Sequence, residues 1–134
     1  GGMFSASGVL LADLLAQRER IAAYPDLGHL SVEGGEAGWR IALERLASQA
    51  AVVGCKAYGW TRADGAWKRY PVPLGEGLVD WPAALSYLDD IGFSGPLSLH
   101  AEYDAPFEEL CERIEADRAF LTGTLADVDS EVAG

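Results

Sequence analysis

The 134-residue sequence predicts an α/β fold built from parallel strand–helix units. Three short apolar runs, at residues 21–24, 51–55 and 96–101, are typical of buried strands, and segments with helical spacing of apolar residues separate them. Strands that are joined through helices pair in parallel with right-handed crossovers, so these three runs are predicted to pair in that way.

The helices are predicted from apolar stripes that recur every three or four residues. The first stripe begins at Val9, and residues 36–49 are predicted to form a second, amphipathic helix. A third, short helix follows Asp80, which is a predicted N-cap residue with Pro82 in the first turn. Gly92 is expected to end this helix.

The fourth predicted helix is long and acidic, and it begins at Pro106. The apolar residues that are predicted to face inward are Phe107, Leu110, Cys111, Ile114 and Leu121. The acidic residues that are predicted to form its solvated face are Glu108, Glu109, Glu112, Glu115 and Asp117. Residues after Gly123 are expected to fray.

Residues 59–79 show no clear helix or strand pattern. A segment of this length in a compact domain is usually functional, for example a lid, or it forms a small hairpin around a turn such as Asp64-Gly65. Its aromatic and cationic residues are Trp60, Arg62, Trp67, Lys68, Arg69 and Tyr70. We interpret the three aromatic rings as packing for this segment, and Gly75 and Gly77 as turn glycines, because no phosphate-binding fingerprint accompanies them.

Composition indicates one globular domain, because 49% of the residues are hydrophobic and 23% are charged. The net charge of −11 and the pI of about 4.4 disfavour nucleic acid as a partner. No apolar run approaches the roughly 20 residues of a membrane span, so no membrane partner is expected. Cys55 and Cys111 are predicted to be free core thiols of a cytoplasmic protein.

The domain organisation predicted from these patterns has three parts. Residues 1–8 form a leader that starts with Gly1-Gly2-Met3, which we interpret as a remnant of tag cleavage. Residues 9–123 form the strand–helix domain, and residues 124–134 form a C-terminal tail.

Polar side chains follow all three predicted strands. Asp26 and His29 come after the first strand, Lys56 follows the second, and His100 and Glu102 follow the third. Alternate residues of a strand point to the same side, so His100 and Glu102 are predicted to emerge together. In parallel α/β folds the carboxyl ends of the strands form the face where chemistry is built.

These strand ends also carry a resemblance to a known family. The segments DLGHLSVEGG (26–35), KAYGW (56–60) and VPLGEGLVDWPAALSYLDDIGFSGPLSLHAEY (72–103) resemble the C-terminal part of sugar-phosphate isomerase/epimerase-like proteins of the xylose isomerase-like TIM barrel superfamily. The resemblance implies a partial TIM barrel of about three of the eight βα units. An eight-stranded barrel takes about 250 residues, so we expect either a fragment or a relative that completes its core by self-association as a homo-oligomer.

The resemblance also implies a divalent metal, Mn²⁺, Mg²⁺ or Zn²⁺, at the strand ends. Asp26 matches a metal ligand of the family, and His29 matches a nearby histidine that contacts substrate or metal. The usual ligand glutamate of the last strand falls at His100, with Glu102 two residues later. A histidine can replace a carboxylate as ligand for a borderline metal.

Besides His100, two positions depart from the family pattern. A ligand histidine is usual two residues before Lys56, where this sequence has Gly54, and an aspartate is usual at Ala57. The first ligand glutamate of the family has no counterpart in this sequence.

The function that the resemblance implies is a metal-dependent isomerase or epimerase of a sugar or sugar phosphate. A metal would stabilise the enediolate that forms when a proton leaves a carbon next to a carbonyl group. Asp26 and His100 would be metal ligands, and Glu102 a third ligand or the base.

The remaining candidates would act on the substrate directly. His29 would orient the substrate, and Lys56 would neutralise developing negative charge. Trp60 is a candidate substrate contact. The alternatives are a non-catalytic barrel fragment that serves as an oligomeric binding or assembly module and, less favoured because of the charge, a metal-dependent hydrolase of the AP-endonuclease type.

Overall fold

The computed structural model describes residues 7–18, 20–35 and 37–132, so most of the predicted leader lies outside the described residues. The helices, in chain order, are α1 (Gly8–Leu15), α2 (Leu27–Gly34), α3 (Gly38–Leu46), α4 (Trp81–Asp90) and α5 (Phe107–Val132). The strands are β1 (Val53–Cys55), β2 (Ala57–Ala63), β3 (Ala66–Val72) and β4 (Leu97–Leu99). Within these ranges, no helix has both the length and the apolar content to cross a membrane.

The central feature is a small parallel sheet with β1 in the middle. β1 pairs in parallel with β4 on one side, in the register Val53 to Leu97 and Cys55 to Leu99. On its other side, residues 23–26 follow the same direction through two isolated parallel bridges, and the Gly54 N–H donates to the Pro25 carbonyl over 2.8 Å. The predicted parallel α/β fold is therefore confirmed, and the described strands form part of a barrel without closing one.

The segment at residues 59–79 contains most of an antiparallel hairpin, which is one of the two expected alternatives. β2 and β3 pair from Ala57–Val72 to Ala63–Ala66. The two-residue turn places Asp64 at a φ of 54° and Gly65 at 77°. Such a left-handed pair is typical of the tight turns whose twist matches that of the flanking strands, and a D-G sequence favours it.

The aromatic rings of this hairpin are partly or largely exposed, so they do not enter the core. Trp60 is 40% exposed, Trp67 67% and Tyr70 45%. Trp60 lies opposite Arg69 and Trp67 lies opposite Arg62, and opposed residues of an antiparallel pair share a face. We call these four residues the hairpin face. Tyr70 lies on the other side of the hairpin.

The helix α4 is built as predicted. Asp80 caps it by accepting a hydrogen bond from the Ala83 N–H over 3.1 Å, and Pro82 lies in the first turn. Trp81 is 1% exposed, and its indole Nε1 donates to the Leu74 carbonyl over 3.0 Å. This indole therefore joins the start of α4 to the turn that follows the hairpin.

The orientation of α5 differs from the prediction. Asp117 is only 5% exposed, because its carboxylate accepts hydrogen bonds from the Leu74 N–H and the Tyr103 hydroxyl. Leu121, Thr124 and Val128 follow it inward at helical spacing and are also buried.

Two of the predicted inward residues are consequently exposed. Phe107 is 78% exposed, and Cys111, which precedes Asp117 by six residues and so points away from it, is an exposed free thiol. Cys55 is the buried free thiol that was predicted. The helix continues past Gly123 to Val132, so the expected fraying after Gly123 is wrong.

The helix α2 lies directly against the strand ends because Gly28 has no side chain. A Cβ at this position would lie 2.4 Å from the Lys56 carbonyl oxygen and 2.7 Å from Lys56 Cγ. Gly34, at the other end of the same helix, has nothing within 4 Å of such a Cβ. No helix was predicted for residues 27–34, which include the turn-forming residues Gly28 and Gly34.

The two glycines of α2 give a matched test of this contact. Gly28→Ala should lower the free energy of unfolding by about 1–3 kcal/mol, because the methyl group overpacks against backbone that cannot move away. Gly34→Ala should leave it unchanged or raise it by up to about 1 kcal/mol, because alanine is the better helix former. Urea denaturation of both variants measures this, and equal effects would contradict the close approach.

The indole bond of Trp81 can be tested in the same way. Trp81→Phe should lower the free energy of unfolding by about 1–3 kcal/mol, because the buried Leu74 carbonyl loses its donor. Trp67→Phe on the exposed hairpin face is the control and should change it by less than about 0.5 kcal/mol. A Trp81→Phe variant as stable as the control would show that the bond is dispensable.

Candidate functional site

Four of the predicted site residues meet at the carboxyl ends of the parallel strands. Asp26 Oδ2 lies 3.0 Å from His100 Nδ1 and 3.2 Å from Lys56 Nζ. Lys56 Nζ also donates to Glu102 Oε1 over 2.8 Å. We call Asp26, Lys56, His100 and Glu102 the strand-end cluster.

The parallel register explains why these residues converge. Asp26 lies beside Gly54 in the sheet, and the His100 N–H donates to the Cys55 carbonyl over 3.0 Å. The three segments therefore end at the same edge, and the residue that follows each strand reaches the same place. Glu102 lies beyond the end of β4, yet its side chain reaches the cluster beside that of His100.

Asp26 has two structural roles. Its Oδ1 accepts a hydrogen bond from the His29 N–H over 3.0 Å, and this caps the N-terminus of α2. Its Oδ2 is shared between Lys56 and His100. Asp26 thereby ties α2 to the strand ends.

Lys56 is the buried centre of the cluster, with only 5% of the residue exposed. Burial alone would lower the pKa of its ammonium group, but the hydrogen bond to Glu102 and the charge of Asp26 outweigh burial and raise this pKa. Lys56 is therefore charged throughout the neutral pH range. Its positive charge is shared by two carboxylates, which come from segments on either side of β1.

Glu102 is the accessible carboxylate of the cluster, because 52% of its side chain is exposed. Its Oε2 accepts a hydrogen bond from the Tyr58 hydroxyl over 2.8 Å. The hydrogen bonds from Lys56 and Tyr58 lower the pKa of Glu102. The pKa of Tyr58 is raised by burial and by this bond, so the tyrosine remains neutral and continues to donate.

Two tyrosines that sequence analysis missed belong to the site. Tyr58 orients Glu102, and the Tyr24 hydroxyl makes a short hydrogen bond with His100 Nε2. Tyr24 precedes Asp26 by two residues, and Tyr58 follows Lys56 by two. The same-side rule for alternate residues of a strand, which was applied to His100 and Glu102, would have found both.

Gly54 leaves the space that Tyr24 occupies. A Cβ at Gly54 would lie 3.1 Å from Tyr24 Cε2 and 3.1 Å from Asp26 Oδ2. A side chain at this position would therefore require the Tyr24 ring to move by a few tenths of an ångström. This sequence has Gly54 where the resemblance implies a histidine, and the Tyr24 ring lies next to that glycine.

His29 and Trp60 lie around this centre without joining it. The His29 ring contacts the Tyr58 ring at a centroid distance of 5.5 Å. Trp60 lies two residues beyond Tyr58 on β2, on the same side of the hairpin. The guanidinium group of Arg69, on the hairpin face, lies 5.1 Å from the centre of the Tyr58 ring. Tyr58 bonds to Glu102, so the hairpin face lies next to the strand-end cluster.

The donor atoms of the cluster do not fit a divalent ion in this arrangement. Asp26 and His100 are close enough to share one ion, but a direct hydrogen bond joins them. Both nitrogens of His100 have partners, and the Lys56 ammonium lies between the two carboxylates. Among the described residues, no three His, Cys, Asp or Glu side chains are grouped to hold a metal.

The thiol of Cys55 does not contribute a nucleophile. Burial, with a smaller effect of the Asp26 charge, raises its pKa to about 12. A thiol with this pKa is neutral at physiological pH and unreactive. Cys55 packs in the core beneath the cluster.

Two solved structures share the fold of this chain. A xylose isomerase domain protein from Planctomyces limnophilus is 24% identical, with a TM-score of 0.76 over 92% of this chain and 45% of that one. A xylose isomerase-like TIM barrel protein from Mycobacterium smegmatis, in complex with magnesium, is 19% identical, with a TM-score of 0.61 over 92% of this chain and 41% of that one. This chain spans less than half the length of either protein.

Comparison with curated proteins finds none that matches. The sequence profile of the xylose isomerase-like TIM barrel family matches residues 7–122. This match extends over most of the chain and includes every residue of the strand-end cluster. The chain belongs to the xylose isomerase-like TIM barrel family.

Proposed function

We propose that the strand-end cluster moves a proton next to a carbonyl group of a carbohydrate, as a sugar or sugar-phosphate isomerase or epimerase does. The observation that carries this proposal is the arrangement at Glu102. This half-exposed carboxylate receives hydrogen bonds from a buried ammonium group and a buried phenol. It is therefore ionised, fixed in place and open to a ligand.

The family supports the class of reaction. It is largely enzymatic, and it includes sugar isomerases and epimerases together with AP-endonuclease-like members. The site lies at the carboxyl ends of the parallel strands, where TIM-barrel enzymes carry their active sites. The net charge of −11 favours a carbohydrate substrate over nucleic acid, because a phosphate backbone is repelled by an acidic protein.

In the proposed reaction, Glu102 is the base. It takes the proton from the carbon beside the substrate carbonyl, and the electrons of that C–H bond form an enediolate. Return of the proton to the former carbonyl carbon, while the proton of the adjacent hydroxyl group moves to the former carbonyl oxygen, gives the isomer. Protonation of the original carbon from its opposite face by a water molecule gives the epimer, and Glu102 then passes its proton to the hydroxide that remains. Lys56 stabilises the negative charge that develops, because its ammonium group lies directly behind Glu102.

The substrate contacts are proposed from the residues around Glu102. His29 would orient a substrate hydroxyl from the edge of α2, beside the Tyr58 ring. Trp60, which is 40% exposed, would stack on a sugar ring from the hairpin face. Lys56 retains one N–H that has no acceptor among the described side chains, and it would bind the substrate oxygen.

The fold and the side-chain geometry give different indications of whether the proposed reaction uses a metal. The Mycobacterium smegmatis protein is in complex with magnesium, which supports a divalent ion in this fold. In this chain Asp26 and His100 would be its ligands. The paired donor atoms of this chain favour proton transfer by side chains alone. The predicted self-association stays a prediction, and a non-catalytic binding or assembly module is the function that remains if no proton transfer occurs.

Proton transfer can be tested without knowing the sugar. The full chain is incubated in D₂O with a panel of aldoses and ketoses, free and phosphorylated, and ¹H NMR follows loss of the proton beside the carbonyl. Glu102→Gln should slow the exchange by at least about 100-fold, because the base is lost. Glu112→Gln, on the exposed face of α5, is the control and should retain the wild-type rate.

Outcomes of this experiment separate the candidates. Exchange that survives Glu102→Gln would assign the base elsewhere. If no sugar exchanges with or without Mn²⁺, the isomerase proposal fails, and the assembly module is the better account.

The electrostatic state of Glu102 gives a second test. ¹³C NMR of the glutamate carboxyl groups should find the pKa of Glu102 below the ordinary value for a glutamate, because Lys56 and Tyr58 stabilise the charged form. Tyr58→Phe should raise the pKa of Glu102, and Tyr70→Phe should not change it.

The sign of the accompanying pH effect follows from the direction of this pKa shift. Since folding lowers the pKa of Glu102, its contribution to stability is complete above the pKa of the unfolded chain and is lost as the pH falls through the folded value. A Glu102 that titrates at the ordinary value for a glutamate would contradict the arrangement.

A further inference from the structure

We propose that the ammonium group of Lys56 takes the place of a divalent cation in this site, so the strand-end cluster binds no metal. The proposal concerns the state of the cluster itself and holds whether or not the site is an isomerase. It rests on three observations: the position of Lys56 between two carboxylates, the pairing of both His100 nitrogens, and the space at Gly54 and Gly28.

The position of Lys56 is the first observation. Its Nζ lies 3.2 Å from Asp26 Oδ2 and 2.8 Å from Glu102 Oε1, with 6% of the side chain exposed. These oxygens are the carboxylate ligands that a divalent ion would need here. A second cation at the same oxygens would be repelled by the ammonium charge, and burial makes that repulsion stronger than in bulk water.

The pairing of His100 is the second observation. Its Nδ1 bonds to Asp26 and its Nε2 bonds to the Tyr24 hydroxyl, so both ring nitrogens already have partners. The Tyr24 ring lies over Gly54, where a Cβ would come within 3.1 Å of it. The tyrosine thereby fills the position from which a side chain of β1 would otherwise reach the cluster.

The fit of Lys56 into the fold is the third observation. A Cβ at Gly28 would lie 2.7 Å from Lys56 Cγ, so the aliphatic part of the lysine runs through space that only glycine leaves. The ammonium group is therefore held by packing of its stem as well as by its two ion pairs. The position of Lys56 is therefore fixed by packing in the fold, unlike that of a surface lysine that lies near carboxylates by chance.

The consequence is a site whose one permanent cation is the Lys56 ammonium group. A bound metal ion exchanges with solvent and is removed by a chelator, whereas a lysine charge is lost only by deprotonation. The cluster should keep its geometry in EDTA and should show no response to Mn²⁺, Mg²⁺ or Zn²⁺.

The experiment compares wild-type protein with Lys56→Gln, using Lys68→Gln as control. Lys68 is also paired with one carboxylate, Asp64 Oδ2 at 2.7 Å, but it lies exposed on the hairpin. Binding of Mn²⁺ is measured directly by electron paramagnetic resonance, and the melting temperature is followed in EDTA and in about 1 mM Mn²⁺, Mg²⁺ or Zn²⁺.

We expect wild-type protein and Lys68→Gln to bind no Mn²⁺ at the cluster and to melt at the same temperature in EDTA and in metal. Lys56→Gln frees Asp26 and Glu102, so it should bind one Mn²⁺ at least about tenfold more tightly than wild type and melt at a higher temperature with metal. Adding Asp26→Asn to Lys56→Gln should abolish this gain.

Two results would overturn the proposal. One is stoichiometric Mn²⁺ binding by wild-type protein that Asp26→Asn removes. The other is a folded Lys56→Gln that binds Mn²⁺ no better than wild type, which would show that the lysine is not what excludes the ion.

If Lys56→Gln does not fold, two measurements on folded protein decide. Paramagnetic broadening of the His100 ring signals by Mn²⁺ in wild-type protein would overturn the proposal, and its absence both there and in Lys56→Arg, which keeps the charge, would support it. None of these readouts uses catalysis, so the isomerase proposal can fail while this one stands.

Discussion

The structure depends on one buried ion pair network, in which the Lys56 ammonium joins Asp26 to Glu102. Burial of a charge without partners is costly, so a lysine that is 5% exposed requires both carboxylates to stay in place. Those carboxylates come from segments 23–26 and 100–102, on either side of β1. The network therefore fixes how the three strand ends lie together, and a change at any member disturbs the others.

The surroundings of the network follow from this constraint. Gly28 lets α2 approach the stem of Lys56, and Asp26 caps α2 with its second oxygen. Tyr58 donates a hydrogen bond to the second carboxylate oxygen of Glu102. In the described part of the chain, no buried polar side-chain atom lacks a hydrogen-bond partner. A network of this kind, in which every charged group has a partner, holds a single geometry, which is what a site for directed proton transfer needs.

Sequence patterns predicted the parts of the fold that depend on periodicity. The parallel sheet, the capped start of α4 and the meeting of residues after each strand follow from apolar runs and strand ends. The inward face of α5 could not be predicted in this way, because it is set by the hydrogen bonds of Asp117 to distant residues. The exposed aromatic rings of the hairpin could not be predicted either, because composition does not reveal which face is covered.

Gly54 and His100, which both depart from the family pattern, are linked through Tyr24. Gly54 gives the Tyr24 ring its space, and the Tyr24 hydroxyl takes up the nitrogen of His100 that points away from Asp26. A histidine introduced at Gly54 alone would meet the tyrosine ring, and Lys56 would still hold the carboxylates. Within this fold, the location of a site is therefore retained while its chemistry is decided by side chains that fit each other. Metal dependence must be argued for each chain from its own donor atoms.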